Sequence, residues 1–211
     1  MVAFNYFYIK KAHMAYEYKR IKTKDDLKEF IAADRQAQPT QWGGVFDPIF
    51  KLKTLLRRCE YHRNNKSNIY HFLMFVILRY RFRRLQRKMC SEIGFNVFGK
   101  GLIIWHGQRI ITNGEARVGD YCSISSGVVI GHGNGGAPHI GNNVEMTINS
   151  TIIGDVSIAD NVRIGANALV VKDIIEPNTT WGGVPAKKIS DHGTVENPVV
   201  AQASCKNSLL V

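Results

Sequence analysis

Histidine is the side chain best suited to move a proton near neutral pH, and three of the seven in this chain stand in unusual company. His106 sits inside IIWHGQRIITNG, residues 103–114, which otherwise reads as apolar strand. His132 and His139 belong to GHGNGGAPHI, residues 131–140, a glycine-rich stretch. A neutral imidazole held in place can act as a general base. The plainer reading of a lone histidine in an apolar strand is a buried residue bonded to a carbonyl. Metal binding is not expected, because these histidines lack ligand spacing. Four cysteines, Cys59, Cys90, Cys122 and Cys205, contain no C-x-x-C pair and suggest a reducing, cytoplasmic setting.

The elements that must position these residues follow two grammars. Residues 1–90 hold 20 Lys and Arg against 7 Asp and Glu, whereas residues 91–211 hold 8 against 10. The net charge of +11 therefore belongs to the first part alone. That part reads as helical. Thr23 followed by Asp26 marks a helix start, and Leu27, Phe30 and Ile31 then share one face. A loop is expected around QAQPTQWGGVFDP. Leu52, Leu55, Leu56 and Cys59 carry a second helical stripe, and a third helix is expected over Ile69 to Met89. Basic asymmetry can mark nucleic-acid or membrane contact, but no nucleic-acid motif accompanies it. The most apolar run, Tyr70 to Leu78, is far short of the roughly 20 residues a membrane span needs. It is expected to be a buried amphipathic helix, with a helix resting on a membrane surface as the alternative. The opening MVAFNYFYIKKAHMAY does not have the order of a signal peptide.

After Cys90 the composition turns to glycine, valine and isoleucine. Val118, Ile124 and Ile130 are six apart, as are Ile140, Met146, Ile152, Ile158, Ile164 and Val170. On an α-helix, residues six apart advance about 600°, or 240° net, so they would scatter around it. A six-residue period instead fits a β-solenoid, in which short strands alternate with tight turns and each aliphatic residue points inward. The single break, between Ile130 and Ile140, should leave the solenoid as a loop.

From about Ile93 to Ile189 the sequence resembles the hexapeptide-repeat acyltransferases. The closing IGANALVVKDIIEPNTTWGGVPAKKIS is similar to that family's last coil, and within the family the nearest likeness is to serine acetyltransferases and their relatives in surface-polysaccharide gene clusters. The resemblance implies a left-handed parallel β-helix over residues 91–190. A basic α-helical region, 1–90, would precede it, and a mobile tail, 191–211, would follow. It also implies a homotrimer with active sites between adjacent β-helices, and acetyl transfer from acetyl-CoA. By the same likeness His106 is the general base, needed because an alcohol must lose its proton to attack a thioester. His139 is implied to contact the acceptor. Ala166, Gly183, Pro185, Ala186, Lys187 and Lys188 are implied to lie against coenzyme A.

The sequence also departs from that pattern. Serine acetyltransferases carry Asp before the catalytic histidine and Arg before the loop histidine, where this chain has Trp105 and Pro138. Those charged groups would hold an amino acid's ammonium and carboxylate. The family's supporting Asp is replaced by Ser91, with Glu92 beside it as the candidate to orient His106. Trp105 offers a flat apolar face of the kind sugars stack on, and His132 could join it at the acceptor. A carbohydrate hydroxyl in a surface polysaccharide, or in its precursor, is therefore the expected acceptor. L-serine is the alternative. The basic helical region could rest on an anionic membrane.

Overall fold

The computed structural model describes residues 18–38, 47–133 and 135–195. The opening segment, most of the loop around Trp42 and the tail from residue 196 lie outside the described residues.

Among the described residues three helices come first: α1 (Lys24–Ala37), α2 (Pro48–Asn64) and α3 (Ile69–Lys88). Each starts at a side-chain cap. Thr23 and Asp26 form a reciprocal capping box on α1. Asp47 accepts from the Ile49 amide, with Pro48 in the first turn of α2. Asn68 accepts from the Tyr70 amide on α3.

The rest is a parallel β-solenoid of about four turns, built from thirteen short strands. One face stacks β1 (Ile103–Trp105), β4 (Ser123–Ser125), β7 (Glu145–Met146), β10 (Arg163–Ile164) and β12 (Thr180–Gly182). The second stacks β2 (Ile111–Thr112), β5 (Val129–Gly131), β8 (Thr151–Ile153) and β11 (Leu169–Val170). The third stacks β3 (Arg117–Val118), β6 (His139–Ile140) and β9 (Ser157–Ile158). Every aliphatic residue of the six-residue period is buried, and the register aligns like with like. Val118 pairs Ile140 and Ile140 pairs Ile158, while Ile124 pairs Met146 and Met146 pairs Ile164. The last coil ends in a hairpin, β12 against antiparallel β13 (Lys187–Ser190), with a cis bond between Val184 and Pro185. Of the segment 191–211, expected to be a mobile tail, residues 191–195 are described and run back along the solenoid. Thr194 donates to the Asn143 carbonyl at 2.7 Å, and the Val195 amide donates to Glu145.

The helices pack on the first coil, where a strand edge would otherwise lack partners. Asp34 on α1 accepts from the Leu102 amide at 2.8 Å. The Gln38 amide bonds both the N–H and the C=O of Ile104, as a neighbouring strand would. On α2, Lys53 donates to the Leu102 carbonyl and Arg57 to the Phe98 carbonyl, both at 2.9 Å. Arg57 is fully buried. It bridges Asp34 and Glu60, and Glu60 in turn accepts from the Asn96 amide at 2.7 Å.

One expectation is overturned. Within the apolar run Tyr70–Leu78 only Leu78 is buried, while Tyr70, Phe72, Leu73, Val76 and Ile77 are exposed. Leu78, Phe82 and Gln86 form the inward stripe of α3, and the opposite stripe has no described element across it.

Replacing Arg57 by Ala would strand two buried carboxylates, a change that typically costs about 3–5 kcal/mol. We expect the urea midpoint of the full chain to fall accordingly. Lys53 gives a pH signature. Burial pulls its ammonium down from 10.5 to about 8. Between these values the folded state releases this proton before the unfolded state does, so the Lys53 contribution to stability rises with pH, by up to about 3 kcal/mol. Denaturation from pH 7 to 10.5 should show that rise in the wild type relative to Lys53→Met, and parallel curves would disprove it.

Candidate functional site

His106 follows β1 at the edge where the first face turns into the second. That turn is enlarged. Inner residues Ile104 and Thr112 are eight apart, against six for Ile124 and Ile130 in the next coil. The surplus residues push the turn outward, and His106 and Arg109 take left-handed φ values of 55° and 57°. The His106 side chain is exposed, as is Trp105 at 42%. The buried-core reading of this histidine does not hold.

The floor of the turn is tightly held. Gly107 lies so close to Ile49 of α2 that an added Cβ would sit 2.6 Å from its Cδ1. The Arg109 amide donates to the Met89 carbonyl at the end of α3. The Ser91 hydroxyl donates to the Gly107 carbonyl at 2.8 Å and accepts from the Ile110 amide at 3.1 Å. Ser91 thus braces the turn; Glu92 is the residue the sequence offered to orient His106. The Glu92 backbone pairs with the second face, at Ile110 and Thr112. Its side chain is exposed and makes no hydrogen bond or ion pair among the described residues.

The edge that carries His106 continues upward through each coil. The Gly127 amide donates to Gln108, the Asn149 amide to Ser126 and the Asn167 amide to Ile148. Ala166 is exposed on this edge in the fourth coil. Above it, Leu169 donates to the Gly183 carbonyl and Ala186 to the Leu169 carbonyl, which lays the Gly183–Ala186 loop on the same edge. Ala166, Gly183, Pro185 and Ala186 are therefore brought together, several coils above His106. The two lysines differ. Lys187 is exposed, whereas Lys188 bridges Glu176 and Asp191, which raise its pKa. Of these two lysines, Lys187 is the one that no acid among the described residues engages.

The other histidines lie elsewhere on the prism. The extra residues after Ile130 leave at the edge between the second and third faces, where Gly133 and Gly136 bond each other in a small hairpin. His132 stands there, 3.8 Å from Glu115. His139 belongs to β6 on the third face, in register between Arg117 and Ser157. Within one chain, His106 and His139 are thus on different sides. Arg117 went unnoticed in the sequence. Only the register places Arg117 beside His139, next to Pro138, whose carbonyl accepts from the Arg117 amide, while its guanidinium donates to the Gly114 and Ala116 carbonyls.

No protein-family model matches the chain. A serine acetyltransferase of Synechococcus elongatus is 35% identical over 106 residues, 48% of this chain and 43% of the relative. The serine acetyltransferase of Neisseria gonorrhoeae superposes with a TM-score of 0.58 at 25% identity, covering 79% of this chain and 67% of that one. This chain is a distant relative of the serine acetyltransferases. The same fold recurs in the Brucella abortus serine acetyltransferase solved in complex with coenzyme A, with a TM-score of 0.63, 23% identity and coverage of 82% and 71%. The chain spans about half the length of the curated relatives it matches. These relatives are serine acetyltransferases by name, and none is named for a polysaccharide.

If Ser91 braces the turn, Ser91→Ala should leave the fold intact while loosening residues 106–110. Amide exchange at Ile110 should accelerate selectively, with a stability loss of about 1–2 kcal/mol. Unchanged exchange there would refute the role.

Proposed function

We propose that the chain is an acetyl-CoA-dependent O-acetyltransferase of the serine acetyltransferase type, with L-serine as its acceptor. The observation that carries this reading is the shared edge: His106 projects from an enlarged, braced turn, and the Gly183–Ala186 loop stacks on the same edge above it. Acetyl-CoA would lie along that edge, its adenosine end toward Lys187 and its thioester near His106. The imidazole would take the acceptor's hydroxyl proton as the oxygen attacks the thioester carbon. The thiolate would leave with the electron pair and recover a proton from the imidazolium.

His139 would come from a neighbouring copy. The two histidines occupy different sides of one solenoid, so a homotrimer that sets the His106 edge of one copy against the third face of the next would complete the site. Arg117, in register with His139, would then supply the cation for the serine carboxylate that Pro138 cannot. The carbohydrate acceptor expected from Trp105 and Pro138 draws no support from the relatives, all serine acetyltransferases by name. It remains a second reading because Trp105 is exposed beside His106.

A thiol-release assay with acetyl-CoA, L-serine and a panel of sugars tests both readings. Turnover on L-serine is expected, falling about 10²–10⁴-fold in His106→Ala. Turnover on sugars alone would transfer the reaction to the second reading, and activity untouched in the variant would remove His106 from the mechanism.

A further inference from the structure

The exposed stripe of α3 is unusual. Ile69, Phe72, Leu73, Val76, Ile77 and Tyr80 recur at helical spacing, and every one is exposed, Ile69 at 70% and Tyr80 at 64%. Scattered apolar residues on a surface need no explanation, but a contiguous stripe does.

Cations border it on both sides. An open groove between α3 and the first coils is lined by Arg63, Lys66, Arg79, Arg83 and Arg87, with Phe75 and Phe95 at its base. On the other flank, between α3 and α2, stand Lys51, Arg81, Arg84 and Lys88. Tyr80 touches both grooves. Helix α3 itself carries no Asp or Glu, and Glu92 is the sole carboxylate lining either groove. None of these nine cations forms an ion pair among the described residues. Elsewhere this protein pairs cations closely, as at Arg57 and Lys188.

We infer that α3 is a docking surface for an anionic lipid membrane. The apolar stripe would enter the headgroup–acyl boundary while the flanking Arg and Lys engage lipid phosphates, the arrangement of a helix lying in the interface plane. No helix among the described residues is long and apolar enough to cross a membrane, and the contact proposed for α3 lies in the interface plane. Charge argues against α3 of a second copy as the occupant. Pairing α3 with α3 would bring unpaired cations together with no carboxylate on either helix to offset them. The inference is independent of the reaction proposed above, and its test does not read activity.

The test is sedimentation of the full chain with vesicles of phosphatidylcholine alone or mixed with phosphatidylglycerol, at low and high salt. Two variants accompany it, both at exposed positions: Val76→Ser/Ile77→Ser and Lys66→Gln/Arg83→Gln/Arg87→Gln. Binding should require phosphatidylglycerol and weaken with salt. The triple variant should bind on the order of 100-fold more weakly, as each cation near an anionic surface contributes about fivefold. The double variant should also lose binding while keeping the wild-type mass in analytical ultracentrifugation. The inference is overturned by any of three results: no binding to the mixed vesicles, binding unchanged in both variants, or a smaller particle mass for Val76→Ser/Ile77→Ser. The last would make the stripe a contact between copies.

Discussion

A stack of β-coils satisfies its backbone from above and below, and its first strand has nothing on one side. Side chains of α1 and α2, and of the residue that ends α1, answer that deficit. Asp34, Gln38, Lys53 and Arg57 reach from two helices to the amides and carbonyls of Phe98, Leu102 and Ile104. Ionic groups make strong hydrogen bonds, but burying them is tolerable only when they balance one another. Hence the Asp34–Arg57–Glu60 cluster, in which one guanidinium serves two carboxylates and a backbone end. Burial pushes Glu60 upward in pKa, while the carboxylates raise that of Arg57 despite its own burial. The strand secured in this way is the one that leads into His106.

Much of this architecture was legible in the sequence, because it rests on local rules. The six-residue period identified the inner residues, and Thr23 with Asp26 identified a helix start. What escaped depends on partners far along the chain. Asp34, Arg57 and Glu60 look like solvated charges until residues 23 apart are seen to meet in a dry interior. A helical stripe at Tyr70–Leu78 announces amphipathicity, yet its spacing cannot say which apolar face is covered. Near the site, the motifs around His106 and Gly183 were readable. The brace from Ser91 was not, since a serine hydroxyl gains meaning only from the carbonyl it meets. Arg117 was hidden for a similar reason: 22 positions separate it from His139 in sequence, but one coil separates them in space.

The candidate site divides its labour between rigid and extruded parts. The coils hold the edge with backbone bonds, and two of the candidate histidines stand where the period is exceeded: His106 at a turn with two extra residues, and His132 in the insertion after Ile130. Surplus residues cannot enter a close-packed interior, so they move outward, where a substrate can reach them.

The stacked edge also acts as a ruler. Successive coils are spaced by the distance between hydrogen-bonded strands, about 4.8 Å. The span from the His106 turn to the Gly183–Ala186 loop is therefore set by the number of coils between them, in fixed increments. Because each coil contacts only its neighbours, a whole coil could be gained or lost without disturbing either end. Such a change would shift the reach of the edge by one increment, so the length of molecule that fits between the two points is encoded in the repeat count.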